Sequence, residues 1–208
     1  MIPISVLSGD LIQSSKLTDR QVNDAISALA DAAQDVARWA PELRTGFARS
    51  SGDGWQFFLS SEGLALRSSL YLRAALRRLG KPFSTRIALA SGSDSLPPDG
   101  NPNSATGPVF TTSGRLLQTL TGPHIQMAHA TGGSAHAATL LADHISQGWT
   151  PAQARAMVLM LPPAPPTHAT AAAALGISRQ AVDQALSAAG YHALADALTA
   201  FEHEGTGP

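Results

Sequence analysis

The sequence contains no cysteine. Disulfide bonds, thiolate metal sites and cysteine nucleophiles are therefore excluded. This absence agrees with a cytoplasmic location, which we expect for the protein. Charged residues are also scarce, at 14% of the 208 positions, and they nearly cancel to a formal net charge of −1. No global electrostatic field therefore draws the chain to nucleic acid or to an anionic membrane.

Long apolar runs and two common catalytic motifs are missing as well. No run approaches the roughly 18 apolar residues of a membrane span, so we expect no membrane association. Met1-Ile2-Pro3 leads directly into a predicted strand, without the basic segment and apolar core of a signal peptide. The Gly-rich phosphate loop ending in Lys-Ser or Lys-Thr and the Gly-x-Ser-x-Gly hydrolase motif do not occur.

Hydrophobic residues make up 44% of the chain, enough for a core in one large domain or two small ones. Their periodicity predicts the order β-α-β-β-α-β-α-β over residues 1–130. This order predicts the α+β class, with a ferredoxin-like sandwich whose helices cover one face of a mixed sheet. The predicted elements are a strand from Ile2 to Leu7, a helix over 19–39, a hairpin of 45–51 and 55–60, a helix over 62–79, a strand over 85–91, a helix over 107–120 and a strand near 125–128.

Two Gly-Asp pairs, Gly9-Asp10 and Gly52-Asp53, lie where apolar runs should break into turns. If the first strand and the hairpin are neighbours, Asp10 and Asp53 face one another at one end of the sheet. Two carboxylates there suit Mg²⁺ or Mn²⁺ bound to phosphates, because Mg²⁺ usually takes one or two protein carboxylates together with phosphate oxygens. Asp is also a common turn residue, and that simpler interpretation stays open.

A single basic cluster lies on and just after the predicted helix over 62–79. Leucines from Leu64 to Leu79 are expected on the buried side of this helix. The cationic side chains could meet phosphates or an acidic partner, but a solvated helix face is the favoured interpretation. The cluster consists of Arg67, Arg73, Arg77, Arg78, Lys81 and Arg86.

Two further features of the sequence bear on function. Residues 92–106 are rich in Gly, Pro, Ser, Asn and Asp, which predicts a long, irregular and mobile loop of a kind that is often functional. Four histidines lie at His124, His129, His136 and His144. His136 and His144 are about 12 Å apart by helix rise, too far to share one ion, so a histidine metal site is not favoured.

The pattern after residue 130 is helical only, which predicts a second, all-α region over 131–208. Within it, residues 167–188 have the pattern of a helix-turn-helix, with Gly176 in the turn and Ser178 capping the second helix. Recognition helices contact DNA through their N-terminal residues, which makes Arg179, Gln180 and Gln184 the candidates for DNA contact. Residues 151–208 carry a net charge of −2, however, so docking to a protein is an equal alternative to DNA binding.

The motifs of residues 2–130 resemble the class III nucleotidyl cyclase catalytic domain and, more closely, the SatD-like proteins related to it. The tail from Trp149 to the predicted helix-turn-helix also looks like SatD-like proteins. Each motif alone is weak, and their order and spacing carry the resemblance. The motifs are Gly9-Asp10-Leu11-Ile12-Gln13-Ser14-Ser15, Leu17-Thr18-Asp19-Arg20, Gly52-Asp53-Gly54-Trp55-Gln56, Arg86 through Gly92, Gly107-Pro108-Val109-Phe110 and Gly114-Arg115-Leu116.

The resemblance implies that Asp10 and Asp53 bind two metal ions that bridge a triphosphate and the attacking hydroxyl. It assigns Arg115 a catalytic role on the phosphate charge of the transition state. It also implies a homodimer, since cyclase active sites lie between two subunits. Thr111 stands where active cyclases carry a ribose-orienting Asn, and Arg49 stands where adenylyl cyclases carry a base-recognising Lys.

These departures favour nucleotide binding over ordinary cyclic-nucleotide synthesis. The base-recognising acid near Gly107 is missing, with Ser104 in its vicinity. The leading hypothesis is a regulatory protein that binds a metal-nucleotide or related phosphate ligand through Asp10, Asp53, Arg49, Thr111 and Arg115, and contacts DNA or a protein through its tail. The first alternative is an active nucleotidyl cyclase or nucleotidyltransferase. The second is a non-catalytic scaffold in which both aspartates are turn residues.

Overall fold

The computed structural model describes residues 1–203, which form five strands and eight helices. Glu204, which was counted in the charge of the tail, lies outside the described residues. Across residues 1–203, no helix has both the length and the apolar character required to cross a membrane. The described residues combine helices with one mixed sheet, as the periodicity predicted, and this architecture is compatible with the α+β class.

The five strands form one mixed sheet in the order β2-β3-β1-β4-β5. The central strand β1 is antiparallel to both of its neighbours, and only β5 runs parallel to the strand beside it. All the predicted strands are present, and the hairpin has the predicted position. The strands are β1 (Ile2–Leu11), β2 (Thr45–Arg49), β3 (Gly54–Leu59), β4 (Thr85–Asp94) and β5 (Met127–His129).

Two of the helices begin where capping boxes predict them. Thr18 and Gln21 form a complete capping box at the first helix, because the Thr18 side chain and the Gln21 side chain each bond the other residue's backbone N–H. Thr150 and Gln153 form a second one. The helices are α1 (Asp19–Ala37), α2 (Ala65–Arg77), α3 (Pro108–Thr119), α4 (Gly133–Gln147), α5 (Pro151–Met160), α6 (His168–Leu175), α7 (Arg179–Ala188) and α8 (Tyr191–His203).

Helices cover both faces of the sheet, so the prediction that they cover one face was wrong. Leu7 and its cross-strand neighbours Phe57 and Leu89 pack in a core with α1 and α2. Val6, on the opposite face, packs with Phe110 of α3 in a second core. The physical reason lies in β1 itself, which is buried on both faces from Ile4 to Ser8 and so needs a layer of helices on each side.

Helix α2 is buried on all sides, and the prediction of a solvated basic face was wrong for two of its arginines. Arg67 and Arg73 are buried and are paired with Glu202 and Asp143. Leu79, expected in the core, is 42% exposed. The partners lie 135 and 70 residues further along the chain. A periodic pattern within one helix carries no information about such distant partners.

The tail packs onto the first region through the same core. Trp149, Met157 and Leu198 lie in one hydrophobic cluster with Leu7 and Leu66. The predicted boundary between residues 130 and 131 therefore falls within a continuous core, and the division into two domains stays a prediction.

The long loop after β4 is tied to the hairpin. The first residues of the predicted loop, as far as Asp94, belong to β4, and Pro102–Ser104 form a short 3₁₀ turn. The Asn103 side chain donates to the Arg49 carbonyl at 2.9 Å. A Cβ on Gly46 would lie 2.1 Å from the Gly100 carbonyl oxygen, so the loop approaches β2 at a position where only glycine fits. The loop thus forms one wall beside the hairpin.

Candidate functional site: a cleft beside the β2–β3 turn

A cleft of about 350 Å³ lies at the end of the sheet where β1 and β3 meet. Its floor is the sheet face that α3 covers, and the turn between β2 and β3 forms one rim. The loop before α3 contributes a second wall. The cleft is bordered by Gly114 of α3, and its lining includes the side chains of Ser8, Asp10, Asp53, Gln56 and Asn103.

The pairing of β1 with β3 brings the two predicted metal ligands to this cleft. Asp10 lies directly opposite Gly54 in the antiparallel register. The Leu11 backbone N–H donates to the Asp53 carbonyl at 3.3 Å, so the two aspartates belong to adjacent stretches of backbone. Both line the cleft. The expectation that the first strand and the hairpin are neighbours is therefore confirmed.

The carboxylate of Asp10 is held by an arginine that sequence reasoning had assigned to the basic cluster. Arg86, the residue opposite Asp10 on β4, donates from Nε to Oδ1 at 2.8 Å and from Nη2 to Oδ2 at 2.6 Å. Its remaining Nη1 donates to the Leu120 carbonyl at the end of α3, at 2.7 Å. Because a carboxylate has about four acceptor positions, this fork leaves Asp10 with lone pairs for another ligand.

The glycine before Asp10 is required by the packing beneath the cleft. A Cβ on Gly9 would lie 2.3 Å from the Trp55 ring and 2.6 Å from the Arg86 carbonyl oxygen. The Trp55 indole N–H donates to the Thr85 hydroxyl at 3.0 Å, and that hydroxyl lies 2.7 Å from the Asp10 carbonyl oxygen. The Gly-Asp pair is thus explained in part by the indole that packs against it.

The other predicted nucleotide-binding residues do not line the cleft. Arg49 donates to the Gly52 carbonyl at 2.7 Å and to the Asn23 side chain at 2.9 Å, which ties the hairpin turn to α1. The Thr111 hydroxyl donates to the Gly107 carbonyl at 3.1 Å, within the first turn of α3. Arg115 is exposed on α3, one residue after Gly114. A structural role is therefore visible for Arg49 and for Thr111.

The donor set fits a cation that arrives with a phosphate ligand better than one held by protein alone. Among residues 1–203, no three His, Cys, Asp or Glu side chains are grouped so that they could hold a metal ion. Two carboxylates at one cleft are enough for Mg²⁺ or Mn²⁺ only when phosphate oxygens and water complete the coordination. Asp10 and Asp53 fit that requirement.

Gln56 and Asn103 are cleft residues that sequence reasoning missed. Gln56 lies in a motif to which the sequence assigns no role for this residue, and Asn103 lies in the predicted loop over 92–106. A signal for Gln56 was present, because a polar residue between Trp55 and Phe57 lies on the opposite face of the strand from both aromatics. For Asn103 no local signal existed, since the Arg49 carbonyl that holds its side chain lies 54 residues earlier in the chain.

The candidate DNA-contacting residues are exposed on α7. Ser178 caps this helix by accepting from the Ala181 backbone N–H at 3.1 Å, and Gly176 adopts a left-handed conformation between α6 and α7. Arg179 lies 3.8 Å from Asp183, and Asp183 also contacts the His168 ring at 2.5 Å. Gln180 and Gln184 are exposed. The charge of Arg179 is thus partly balanced within its own helix.

Neither a protein-family model nor a curated protein matches this chain. The resemblance to nucleotidyl cyclases and SatD-like proteins therefore stays a prediction based on the motifs, and the function must be argued from the cleft.

Proposed function

We propose that residues 1–130 form a ferredoxin-like, nucleotidyl cyclase-like domain that binds a nucleoside triphosphate or related phosphate ligand together with Mg²⁺ or Mn²⁺. The single observation that carries the proposal is the β1–β3 register, through which Asp10 and Asp53 line one cleft although they are 43 positions apart. The strand order β2-β3-β1-β4, with a hairpin beside the first strand, is the order of a ferredoxin-like sheet and supports the fold assignment.

Each residue of the cleft has a distinct part in this proposal. Asp10 and Asp53 hold the cation, which neutralises phosphate charge when it is bound. Arg86 fixes the plane of the Asp10 carboxylate by its two parallel hydrogen bonds and thereby limits how Asp10 can turn. Arg115 is exposed and follows Gly114, which borders the cleft, and in this proposal its guanidinium contacts phosphate oxygens of the ligand.

Binding is favoured over catalysis by the surroundings of Thr111. An enzyme that forms a cyclic nucleotide must orient a ribose hydroxyl, and the Thr111 hydroxyl is bonded to its own helix. The active nucleotidyl cyclase or nucleotidyltransferase therefore stays the alternative, and the scaffold without ligand is the outcome if nothing binds.

The test is calorimetric titration of the full chain with ATP, GTP, CTP and UTP in the presence of Mn²⁺. We expect binding that weakens at least tenfold in Asp53→Asn, because the variant keeps the size of the side chain and loses the charge that holds the cation. The matched control is Asp24→Asn on the exposed face of α1, which should bind as the wild type does. Equal binding by both variants, or none by the wild type, would overturn the proposal. Release of pyrophosphate that is lost in Asp53→Asn would establish the enzyme instead.

We further propose that residues 167–188 form a helix-turn-helix that contacts DNA or a protein partner. The exposed N-terminal turn of α7, with Arg179 and Gln180, supports this proposal. Fluorescence anisotropy with mixed-sequence DNA at 50 mM salt distinguishes the two partners: affinity that is reduced in Arg179→Ala but not in Arg155→Ala, a control on α5, indicates DNA. Absence of binding at this low salt leaves the protein partner. The proposed homodimer is tested by sedimentation equilibrium of the wild type.

A further inference from the structure

A short chain of buried hydroxyl groups ends at the cleft. The Gln56 side-chain Nε2 lies 2.9 Å from the Ser8 hydroxyl. The Ser8 hydroxyl lies 2.8 Å from the Ser113 hydroxyl, which in turn donates to the Phe110 carbonyl at 3.0 Å. Ser8 and Ser113 are only 4% and 0% exposed. The two serines therefore form a polar connection between α3 and β3 inside an otherwise apolar layer.

The direction of this chain is fixed by the number of protons available. The single hydroxyl proton of Ser113 is used on the Phe110 carbonyl, so Ser113 must accept from Ser8. Because the Ser8 hydroxyl proton is donated to Ser113, Ser8 must accept a hydrogen bond from Gln56. Only the amide nitrogen of Gln56 can donate that bond. The Gln56 amide is thus oriented by its hydrogen-bond network, with its nitrogen toward Ser8 and its carbonyl oxygen left as an acceptor.

Gln56 lies on the sheet face that forms the floor of the cleft, and Asp10 and Asp53 line the same cleft. Ser8 is directly opposite Gln56, and Asp10 is directly opposite Gly54. Two residues along a strand correspond to about 7 Å, so the Gln56 backbone lies about that far from Gly54. This separation is comparable with the reach from metal-bound phosphates to the sugar and base of a nucleotide.

We propose that Gln56 recognises the nucleoside part of the ligand, by accepting a hydrogen bond from a donor group on the sugar or the base. The inference rests on the proposed binding of a metal-bound phosphate ligand at Asp10 and Asp53. Ser8 and Ser113 are positioning residues, because they act only by holding the Gln56 amide in one orientation.

Asn103 provides a second amide on the other wall. Its Nδ2 group donates to the Arg49 carbonyl at 2.9 Å, and its backbone N–H donates to the Asn101 side chain at 3.0 Å. The loop that carries it is held at its ends by Asp94, which accepts from the Val109 and Ser95 backbone N–H groups at 2.9 and 2.7 Å. The Gln56 and Asn103 amides therefore border the cleft from backbone segments that hydrogen bonds hold in place.

The experiment compares each nucleoside triphosphate with tripolyphosphate, both with Mn²⁺, by calorimetry on the full chain. Tripolyphosphate keeps the phosphates and lacks the sugar and base. In Gln56→Met, which keeps the length of the side chain and removes the acceptor, we expect the preference for a nucleoside triphosphate over tripolyphosphate to fall about fivefold to tenfold, the value of one hydrogen bond. Tripolyphosphate binding should stay as in the wild type. Gln118→Met, the same change on the exposed face of α3, is the matched control.

Two further variants and ligands refine the result. Ser113→Ala should lower the same preference by a smaller factor, since it frees the Gln56 amide to turn without removing it. A wild-type preference that disappears with 2′- or 3′-deoxynucleotides identifies a sugar hydroxyl as the donor, and one that persists and varies among the four bases identifies a base amino group. Circular dichroism checks that each variant is folded.

The outcomes separate this inference from the one on which it rests. Binding of tripolyphosphate together with an unchanged preference in Gln56→Met would overturn the role of Gln56 and leave the phosphate site intact. A wild type that binds neither tripolyphosphate nor any of the four nucleotides would overturn both.

Discussion

Two arginine–aspartate pairs in this protein have the same chemistry in different surroundings. Arg73 and Asp143 join α2 to α4, and their side chains are only 3% and 2% exposed. Arg86 and Asp10 border the cleft, with side chains 30% and 25% exposed. The N–O distance is 2.6 Å in both. The difference in solvent access therefore decides what each pair does.

The buried pair of Arg73 and Asp143 is surrounded by further hydrogen bonds that hold the fold together. Besides Arg73, the Asp143 carboxylate accepts from the Gln126 backbone N–H at 2.8 Å and from the Gln147 amide at 2.9 Å. Burial lowers the pKa of the Arg73 guanidinium, and Asp143 opposes that shift. The Nε and Nη2 groups of Arg73 have no hydrogen-bond partner among residues 1–203. This arginine depends on Asp143 for its charge compensation.

The cleft pair is open to exchange. Its side chains are partly exposed, so the pair lies between a surface pair, which contributes roughly 0–1 kcal/mol, and a buried one, and a charged ligand competes for Asp10 at a lower cost than for Asp143. Breaking a buried pair from one side costs about 3–5 kcal/mol. The Asp143 carboxylate is therefore closed to solvent, whereas the Asp10 carboxylate is partly open to the cleft.

The largest effect is expected from Asp143→Ala. It leaves the Arg73 charge buried without a partner, and we expect a loss of about 3–5 kcal/mol in the free energy of unfolding. Urea denaturation measures it, with Asp24→Ala on the exposed face of α1 as the control. The double variant Arg73→Met/Asp143→Leu should recover much of the loss. A loss below 1 kcal/mol in Asp143→Ala would remove the contrast between the two pairs.

The next largest effect on stability is expected from a substitution at Gly9, the residue before Asp10. In Gly9→Ala the new Cβ would overlap Trp55 and the Arg86 carbonyl, and overpacking of this kind costs about 1–3 kcal/mol. Gly114→Ala, on the other side of the same cleft, meets no atom within 4 Å, and should stabilise α3 by about 0.5–1 kcal/mol. Thermal and urea denaturation measure the loss of stability expected in Gly9→Ala and the gain expected in Gly114→Ala. A stable Gly9→Ala would mean that Trp55 can move away at no cost.

His129 of β5 makes the free energy of unfolding depend on pH. Burial, followed by the nearby His136, lowers the pKa of His129 to about 4 from 6.5. His129 is neutral in the folded chain, whereas the unfolded chain binds a proton below pH 6.5, so stability is lost as the pH falls from 6.5 toward 4. We expect about 1–2 kcal/mol less stability from this residue at pH 5 than at pH 7.

Urea denaturation at the two pH values measures this dependence. His129→Gln should reduce it, and the exposed His192→Gln should leave it unchanged. The same dependence in His129→Gln as in the wild type would assign it to other groups.

The smallest effect on stability is expected from Asp10→Asn. It removes the charge that faces Arg86 at a partly exposed position, and we expect a loss of no more than about 1 kcal/mol. The same variant should weaken binding of nucleoside triphosphate with Mn²⁺ at least tenfold. A large loss of stability with unchanged ligand binding would give this pair a structural role like that of the buried pair, and it would contradict the proposed metal site.

The fold could be predicted in its elements but not in its layers. The helix over 19–39 was expected from the Thr18 capping box, and the observed α1 ends at Ala37, two residues earlier. The Asp53-Gly54 turn located the hairpin. The prediction that α3 covers the same face as the other helices was wrong, because Val109 and Phe110 have the same apolar pattern whichever face of the sheet they cover.

The candidate site was predicted in the same partial way. Asp10 and Asp53 were predicted as metal ligands, and the strand pairing brings them to one cleft. Arg86 was assigned to a solvated cluster, although the β1–β4 register sets it opposite Asp10. Arg49 was assigned to a nucleotide, whereas it ties the hairpin to Asn23.

The sequence by itself determined what depends on residues within a few positions of one another: the capped helix starts, the turn at Gly52-Asp53-Gly54 and the left-handed turn at Gly176. Only the tertiary structure decided which charges meet, because Asp10 and Arg86 are 76 residues apart and Arg67 and Glu202 are 135 apart. Local backbone preferences act over one turn of chain, whereas the partner of a charge is set by how helices and strands pack. For that reason Arg67 and Arg73, which have the sequence pattern of a solvated face, became buried.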